Sequence, residues 1–199
     1  MAWELIFGLA VFAFVSSITP GPNNIMLLAS GVNYGFIRTL PHSLGVSLGF
    51  GFMFLFIGFG LGALLQAYPW LLTYLKVIAL IYMLYLSWRI AFSKAIDSEN
   101  VKVSKPMTFI EACLFQWINP KAVIMAATAA TLYVDSENTI QSVLLVALIF
   151  SLINFPSVNM WTLFGTMLRN FLSDPRRLRI FNFIMGGLLI LSIVPIVFS

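Results

Sequence analysis

The sequence reads Thr19-Pro20-Gly21-Pro22-Asn23-Asn24 in the middle of an otherwise apolar run from Trp3 to Ala29. Each proline removes a backbone hydrogen-bond donor and clashes with the preceding turn, so the stretch predicts a broken or kinked helix near Pro20. In lipid, the carbonyls freed by such a break are costly unless protein or a water-filled cavity satisfies them. The stretch therefore predicts a polar site inside a membrane.

The composition is typical of a membrane protein. Of the 199 residues, 60% are hydrophobic and 9% are charged, and the mean hydropathy is +0.97. Roughly 20 apolar residues span a bilayer, and about six such runs can be found. They lie near residues 3–29, 41–66, 69–92, 108–132, 140–168 and 176–198. We expect an all-α membrane protein of about six transmembrane helices, with residues 1–199 forming a single domain.

The connections between these runs alternate in charge. Basic residues occupy the first, third and fifth connections, whereas the fourth carries Asp135 and Glu137 without a base. By the positive-inside rule, the basic connections face the cytoplasm and both termini face outward. Because topology already explains the net charge of +4, nucleic-acid binding is not expected. The expected surroundings are a lipid bilayer.

The most polar stretch, residues 94–107, divides the chain into halves 1–93 and 108–199. Each half contains three apolar runs, and this odd number would make the halves run in opposite directions across the membrane. Each half opens with an interrupted helix, the second at Asn119-Pro120-Lys121. Paired interruptions in an inverted repeat are typical of the substrate site of a secondary transporter. We predict such a repeat, with helices 1 and 4 interrupted.

Polar side chains at membrane depth are the candidate site residues. Lys121 lies roughly 20 Å into helix 4, where it either pairs with a carbonyl or meets a substrate carboxylate or a proton. The helix break beside it favours the second interpretation. Asn23 and Asn24 either satisfy carbonyls freed by the prolines or bind a substrate ammonium or amide. Asn154 and Asn159 either make interhelical hydrogen bonds or contact substrate.

His42 is the only histidine and, after Lys121, the second candidate for proton coupling. Pro41 predicts that helix 2 begins there, which places His42 in the first turn near the cytoplasmic surface. A solvated or capping role is the stronger expectation for it. One histidine and one cysteine make no metal cluster, and no catalytic triad shares one depth, so we expect neither a cofactor nor an enzyme. With no phosphate loop, a proton gradient remains as the energy source.

Two helix starts and one helix surface carry specific signals. Thr108 and Glu111 have the spacing of a capping box at the start of helix 4, and Ser173-Asp174-Pro175 is typical of a cap followed by a first-turn proline. The glycines of helix 2, among them Gly45 and Gly49, let a neighbouring helix approach closely. They permit a homodimer without requiring one.

Several of these segments resemble motifs of the LysE/RhtB amino-acid exporters, the LysE-family translocators. The resemblance covers nearly the whole chain, and it is carried mainly by Ile18 to Asn24, Phe115 to Ala122, Asn154 to Ser157 and Pro175 to Arg179. It implies a multi-pass protein of the bacterial inner membrane that exports amino acids or close derivatives with the proton-motive force. The two termini are then periplasmic.

The residues also narrow the substrate. An exporter of lysine or arginine should offer a buried carboxylate, and no Asp or Glu lies well inside a predicted span. We expect a neutral amino acid, with its carboxylate near Lys121 and helix N-termini and its ammonium near Asn23, Asn24 or freed carbonyls. Two alternatives stay open, an exporter of basic amino acids and a structural or channel subunit. The substrate site is expected to contain Thr19, Pro20, Gly21, Pro22, Asn23, Asn24, Asn119, Pro120, Lys121, Asn154 and Asn159.

Overall fold

The computed structural model describes residues 3–61, 69–93, 105–135 and 137–192, and these residues confirm the all-α fold. Two helical segments, Phe36–Gly60 and Thr139–Leu168, are long and apolar enough to cross a membrane; a third span is added if the bent pair Trp3–Ile18 and Pro22–Tyr34 counts as one. Within these ranges the chain forms eight α-helices, which are α1 (Trp3–Ile18), α2 (Pro22–Tyr34), α3 (Phe36–Phe56), α4 (Pro69–Ala91), α5 (Phe109–Ile118), α6 (Pro120–Tyr133), α7 (Thr139–Leu168) and α8 (Pro175–Leu191).

Both predicted helix interruptions are present. The axes of α1 and α2 differ by 55° across the break between them, and Asn119 separates α5 from α6 as the last cap of one and the first cap of the other. Pro22 and Pro120 each occupy the first turn of the following helix, where the missing N–H breaks no intrahelical bond. Two of the apolar runs are therefore divided into two helices each.

The two predicted caps are confirmed. The Thr108 hydroxyl accepts from the Glu111 N–H at 3.3 Å, and the Glu111 carboxylate accepts from the Thr108 N–H at 2.7 Å, so both halves of the capping box form. Asp174 caps α8 and accepts from the N–H groups of Arg176 and Arg177 at 2.8 and 3.1 Å. Local chemistry thus determines where α5 and α8 begin.

The predicted start of helix 2 at Pro41 is wrong. Helix α3 begins at Phe36, directly after Gly35, and Pro41 lies inside it. Gly35 has a φ of 82°, a left-handed conformation that glycine adopts without the steric penalty of a side chain. The turn at Gly35 therefore starts the helix, and α3 continues through the proline.

Close packing holds α7 and α3 at the centre of the bundle. Helix α7 packs against α1, α2 and α3, while α3 also packs against α5 and α4 packs against α8. Gly31 on α2 faces the Thr162 backbone of α7, and Gly165 on α7 faces the Leu28 backbone of α2, so a Cβ atom on either glycine would meet a carbonyl oxygen. Gly45 and Gly49 on α3 contact the backbone of α5 in the same way. The expected close approach of a neighbouring helix to helix 2 is therefore confirmed.

The basic connections lie together at one end of the bundle. Ser93, after α4, donates a hydrogen bond to Asn33, near the end of α2, at 3.3 Å. Arg169, after α7, lies beside Gly35, where a guanidinium nitrogen would be 3.1 Å from an added Cβ. The first, third and fifth connections are thus neighbours, as expected if they share one side of a membrane. Which side that is stays a prediction.

Candidate functional site

The two helix breaks border one small polar cavity. Its volume is about 20 Å³, which leaves room for about one water molecule. The cavity is therefore too small for an amino acid in this conformation. The cavity is lined by Ser16, Ser17, Gly21, Asn23, Asn24, Phe50, Gln116, Asn119, Lys121, Ala122, Met125, Asn154 and Val158.

Lys121 reaches across the cavity from the second break to the first. Its Nζ atom lies 2.6 Å from the Thr19 carbonyl oxygen, 2.9 Å from the Thr19 hydroxyl and 3.3 Å from the Pro20 carbonyl oxygen. An ammonium has three donors, so these contacts use all of them. The end of α1 is also the negative end of the helix dipole, which stabilises the cation. Lys121 therefore joins the two halves of the chain.

The other carbonyls at the end of α1 also have donors. The Asn24 side-chain amide donates to the carbonyl oxygens of Ser17 and Thr19, each at 2.8 Å. The Trp161 indole N–H donates to the Ile18 carbonyl oxygen at 3.0 Å. Asn24 thus satisfies freed carbonyls, one of the two roles expected from the sequence, and its N–H groups are both used. These donors replace the missing helical ones and so stabilise the break.

Gly21 is needed for space rather than for an unusual backbone conformation. Its φ of 179° and ψ of 178° describe extended backbone that any residue can adopt. A Cβ atom at this position would lie 2.7 Å from Cδ of Lys121 and 3.2 Å from its Nζ. The absent side chain therefore lets the lysine reach the end of α1.

Asn23 pairs with Gln116, which is not among the site residues predicted from the sequence. The Asn23 amide donates to the Gln116 carbonyl oxygen at 2.8 Å, and the Gln116 amide donates back at 3.3 Å. Gln116 is fully buried and also donates to the Ala112 carbonyl oxygen at 2.8 Å. The available signal was its position one turn before Asn119, since residues three apart share a helix face.

Of the two predicted amides on α7, only Asn154 lines the cavity. It donates to the Ser17 hydroxyl at 3.1 Å and accepts from the Ser47 hydroxyl at 3.0 Å, and so links α7 to α1 and α3. Asn159 is not among the lining residues, and it accepts from the Ser43 hydroxyl at 3.0 Å. Asn159 therefore fits the interhelical alternative, whereas Asn154 belongs to the cavity.

His42 lies neither in the cavity nor at a helix start. It is 2% exposed, and neither ring nitrogen has a hydrogen-bond partner in the part of the chain that the structure describes. The expected solvated or capping role is therefore wrong. Because α3 begins at Phe36 rather than at Pro41, His42 falls within the helix and on its buried face.

Sequence comparison with known proteins shows the family of the chain. The sequence profile of the LysE type translocators matches residues 14–194. The cysteine/O-acetylserine efflux proteins of Salmonella choleraesuis and Salmonella typhimurium are each 30% identical over 187 residues, which is 93% of both chains. The protein of that name from Escherichia coli K12 is 28% identical over 137 residues, 67% of this chain and 68% of that one. No solved structure matches significantly. The chain belongs to the LysE type translocator family.

Proposed function

We propose that this chain is a secondary transporter that exports a neutral amino acid or a close derivative from the cytoplasm, driven by the proton-motive force. The observation that carries the proposal is the polar cavity at the two helix breaks, with Lys121 crossing between them. Buried lysines and amides are costly in a membrane and typically mark a transport path. Membership of a translocator family supports the same class of function.

The relatives and the cavity lining both support a neutral substrate. Cysteine and O-acetylserine, named for the relatives, are small amino acids without a charged side chain. The cavity is lined by hydroxyls, amides and Lys121, and its described lining contains no carboxylate. A basic amino acid would bring a second cation beside Lys121 without an anion to compensate it. An exporter of basic amino acids is therefore the weaker alternative.

Lys121 is the proposed partner of the substrate carboxylate, assisted by the N-termini of α2 and α6. The substrate ammonium is placed near Asn23 and the carbonyls at the end of α1. Because all three donors of Lys121 already contact Thr19 and Pro20, a carboxylate must displace at least one of these contacts. Substrate binding would then weaken the link between the two breaks, and so favour their separation.

Helix packing supports alternating access by an inverted repeat of residues 1–93 and 108–199. Helix 1 (α1 with α2) packs on helix 5 (α7), helix 2 (α3) packs on helix 4 (α5 with α6), and helix 3 (α4) packs on helix 6 (α8). In an inverted repeat, helices 1, 2 and 3 correspond to helices 4, 5 and 6. The contact between helices 1 and 5 then corresponds to the contact between helices 4 and 2, and the contact between helices 3 and 6 corresponds to itself. Rocking of such halves opens a central site to each side in turn.

Lys121 is the first candidate for the coupled proton, because it can exchange substrate contact for protein contact, and His42 is the second. We place the protein in the bacterial inner membrane with both termini in the periplasm, which is supported by the clustered basic connections. Since Gly45 and Gly49 already pack against α5 within the chain, the glycines of α3 give no support to a homodimer.

Counterflow in proteoliposomes tests the proposal. Vesicles containing the wild-type protein or Lys121→Met are loaded with neutral, basic or acidic amino acids, and the uptake of labelled substrate is measured with and without a proton gradient. We expect selective exchange of neutral amino acids that the substitution abolishes. Faster exchange of arginine than of any neutral amino acid would overturn the substrate assignment.

A structural role is the second candidate, and one observation favours it. The carbonyls at the break all have donors within the protein, so the break does not need a ligand for its stability. Correctly folded protein without flux of any amino acid would support this role. Unsaturable flux without stereoselectivity would instead indicate a channel.

A further inference from the structure

A second cavity lies at the end of the bundle where the basic connections meet. Its volume is about 70 Å³, room for several water molecules. It lies between α2, α3, the end of α4 and the segment 105–107. Its lining includes the polar or charged side chains of Ser30, His42, Arg89 and Lys105.

His42 is the least satisfied polar group of this cavity. It is 2% exposed, and both of its ring nitrogens lack a hydrogen-bond partner among the described residues. Burial of an unpaired polar group is unfavourable, and native proteins satisfy such groups with a ligand or ordered water. His42 is therefore available to a molecule in the cavity.

Arg89 makes the cavity attractive to an anion. One of its guanidinium nitrogens donates to the Lys105 carbonyl oxygen at 3.1 Å, which leaves further N–H groups for a ligand. Lys105 adds a second cation, and the described lining contains no acidic residue. The Glu111 carboxylate does not line the cavity, although it interacts electrostatically with both His42 and Arg89, and its Oε2 accepts from the N–H and the hydroxyl of Thr108. A planar carboxylate fits the remaining donors of Arg89.

Ser30 supplies an acceptor in the same cavity. The Thr39 hydroxyl donates to the Gly35 carbonyl oxygen at 2.8 Å, so the Ser30 hydroxyl is the donor in its 2.9 Å contact with Thr39. The lone pairs of Ser30 then remain available to an ammonium. The cavity thus combines anion donors with an acceptor, as binding of an amino-acid zwitterion requires.

We propose that this cavity is a second substrate site, in which Arg89 and His42 bind the carboxylate of an amino acid before it reaches the central cavity. The proposal rests on the proposed function. Both cavities border α2, with Asn23 lining the first and Ser30 the second. At 1.5 Å per residue these positions are about 10 Å apart along the helix. The two cavities therefore lie along one helix, about two turns apart.

Transport kinetics test the site in inside-out vesicles, with L-cysteine under reducing conditions as the probe. The variants are His42→Leu and Arg89→Gln, and the matched control is Arg38→Gln, which removes an exposed basic residue that does not line the cavity. We expect the half-saturating concentration to rise about tenfold in the two site variants, because a hydrogen bond to a charged group is lost. The control should keep the wild-type value. Equal half-saturation in all four proteins would overturn the proposal.

A binding assay separates failure of this site from failure of the proposed function. The Lys121→Met protein lacks the cation of the central cavity, so stabilisation by L-cysteine then reports on the second site. We expect L-cysteine to raise the Tm of Lys121→Met. Cysteamine, which lacks the carboxylate, should not raise it. The double variant Lys121→Met/Arg89→Gln should show no rise in Tm with L-cysteine. This readout does not require that the wild-type protein transports.

Two binding results would overturn the proposal. One is a rise in Tm with L-cysteine that is the same in Lys121→Met and in Lys121→Met/Arg89→Gln, or no rise in either protein. The other is equal stabilisation by inorganic phosphate, which would indicate a general anion site. His42→Leu serves as a folding check, because the histidine makes no hydrogen bond among the described residues and its replacement should leave the Tm unchanged or higher.

Discussion

Replacing Lys121 by methionine removes the cation that crosses between the two helix breaks while keeping a side chain of similar length. In the structure, Nζ contacts two oxygens of Thr19 and the carbonyl oxygen of Pro20. The Thr19 carbonyl would keep the Asn24 amide as a donor at 2.8 Å. The Pro20 carbonyl would lose the Lys121 donor at 3.3 Å. The substitution therefore leaves one carbonyl at the break without this donor.

The expected effects on stability and transport differ in size. Pro20 is exposed, so loss of this hydrogen bond costs about 0.5–1.5 kcal/mol, and a chain of this length loses about 2–4 °C of Tm per kcal/mol. The Tm should therefore fall by several degrees while the protein still inserts and folds. Loss of a charge-assisted contact to the substrate carboxylate should weaken binding by about 10- to 100-fold. Counterflow of neutral amino acids should then fall to background.

Trp161→Phe is the matched control for loss of a hydrogen-bond donor at the end of α1. It removes the indole donor to the Ile18 carbonyl oxygen, 3.0 Å away, and so leaves a neighbouring carbonyl of α1 without that donor. Trp161 does not line the polar cavity. We expect a similar fall in Tm, measured by thermal unfolding in detergent, with counterflow retained.

Either of two results would refute the reasoning about Lys121. Wild-type counterflow in Lys121→Met would show that the lysine only stabilises the break. Equal loss of counterflow in Trp161→Phe would show that transport depends on the end of α1 rather than on the cation.

Three further substitutions test the contact beside Lys121, the packing of α2 on α7 and the cap of α8. Gly21→Ala should lower counterflow without loss of insertion, since its Cβ would lie 2.7 Å from Cδ of Lys121 and the lysine side chain must then move. Gly31→Ala should lower the free energy of unfolding by about 1–3 kcal/mol or more, seen as a lower Tm, because its Cβ would collide with the Thr162 carbonyl between α2 and α7. Asp174→Ala should cost about 0.5–2 kcal/mol in the same assay through loss of the α8 cap.

Each of these substitutions has a control within the chain. Gly187→Ala places a Cβ where no neighbouring atom lies within 4 Å, so it should lower neither counterflow nor Tm. Asp174→Asn keeps a capping oxygen and should retain most of the stability. A Gly31→Ala protein as stable as Gly187→Ala would contradict the close helix contact, and full transport by Gly21→Ala would contradict its role beside Lys121.

Features that depend on local chemistry were predicted correctly. Prolines and glycine in Thr19-Pro20-Gly21-Pro22-Asn23-Asn24 break a helix wherever it packs, and Asp174 caps the helix that follows it. The one local error concerned Pro41, where a proline and a glycine offered competing helix starts and Gly35 determined the boundary. The long apolar runs were likewise sufficient for an all-α membrane fold.

The sequence by itself determined the membrane class, the two helix breaks and the polar residues near them, because these follow from residues adjacent in the chain. Only the tertiary structure decided that Lys121 contacts Thr19, that Gln116 pairs with Asn23 and that His42 is buried. In a membrane, the side of a helix that faces lipid is as apolar as the side that faces the core. Hydrophobic periodicity therefore does not show how each helix is rotated, and the rotation decides which polar side chains meet.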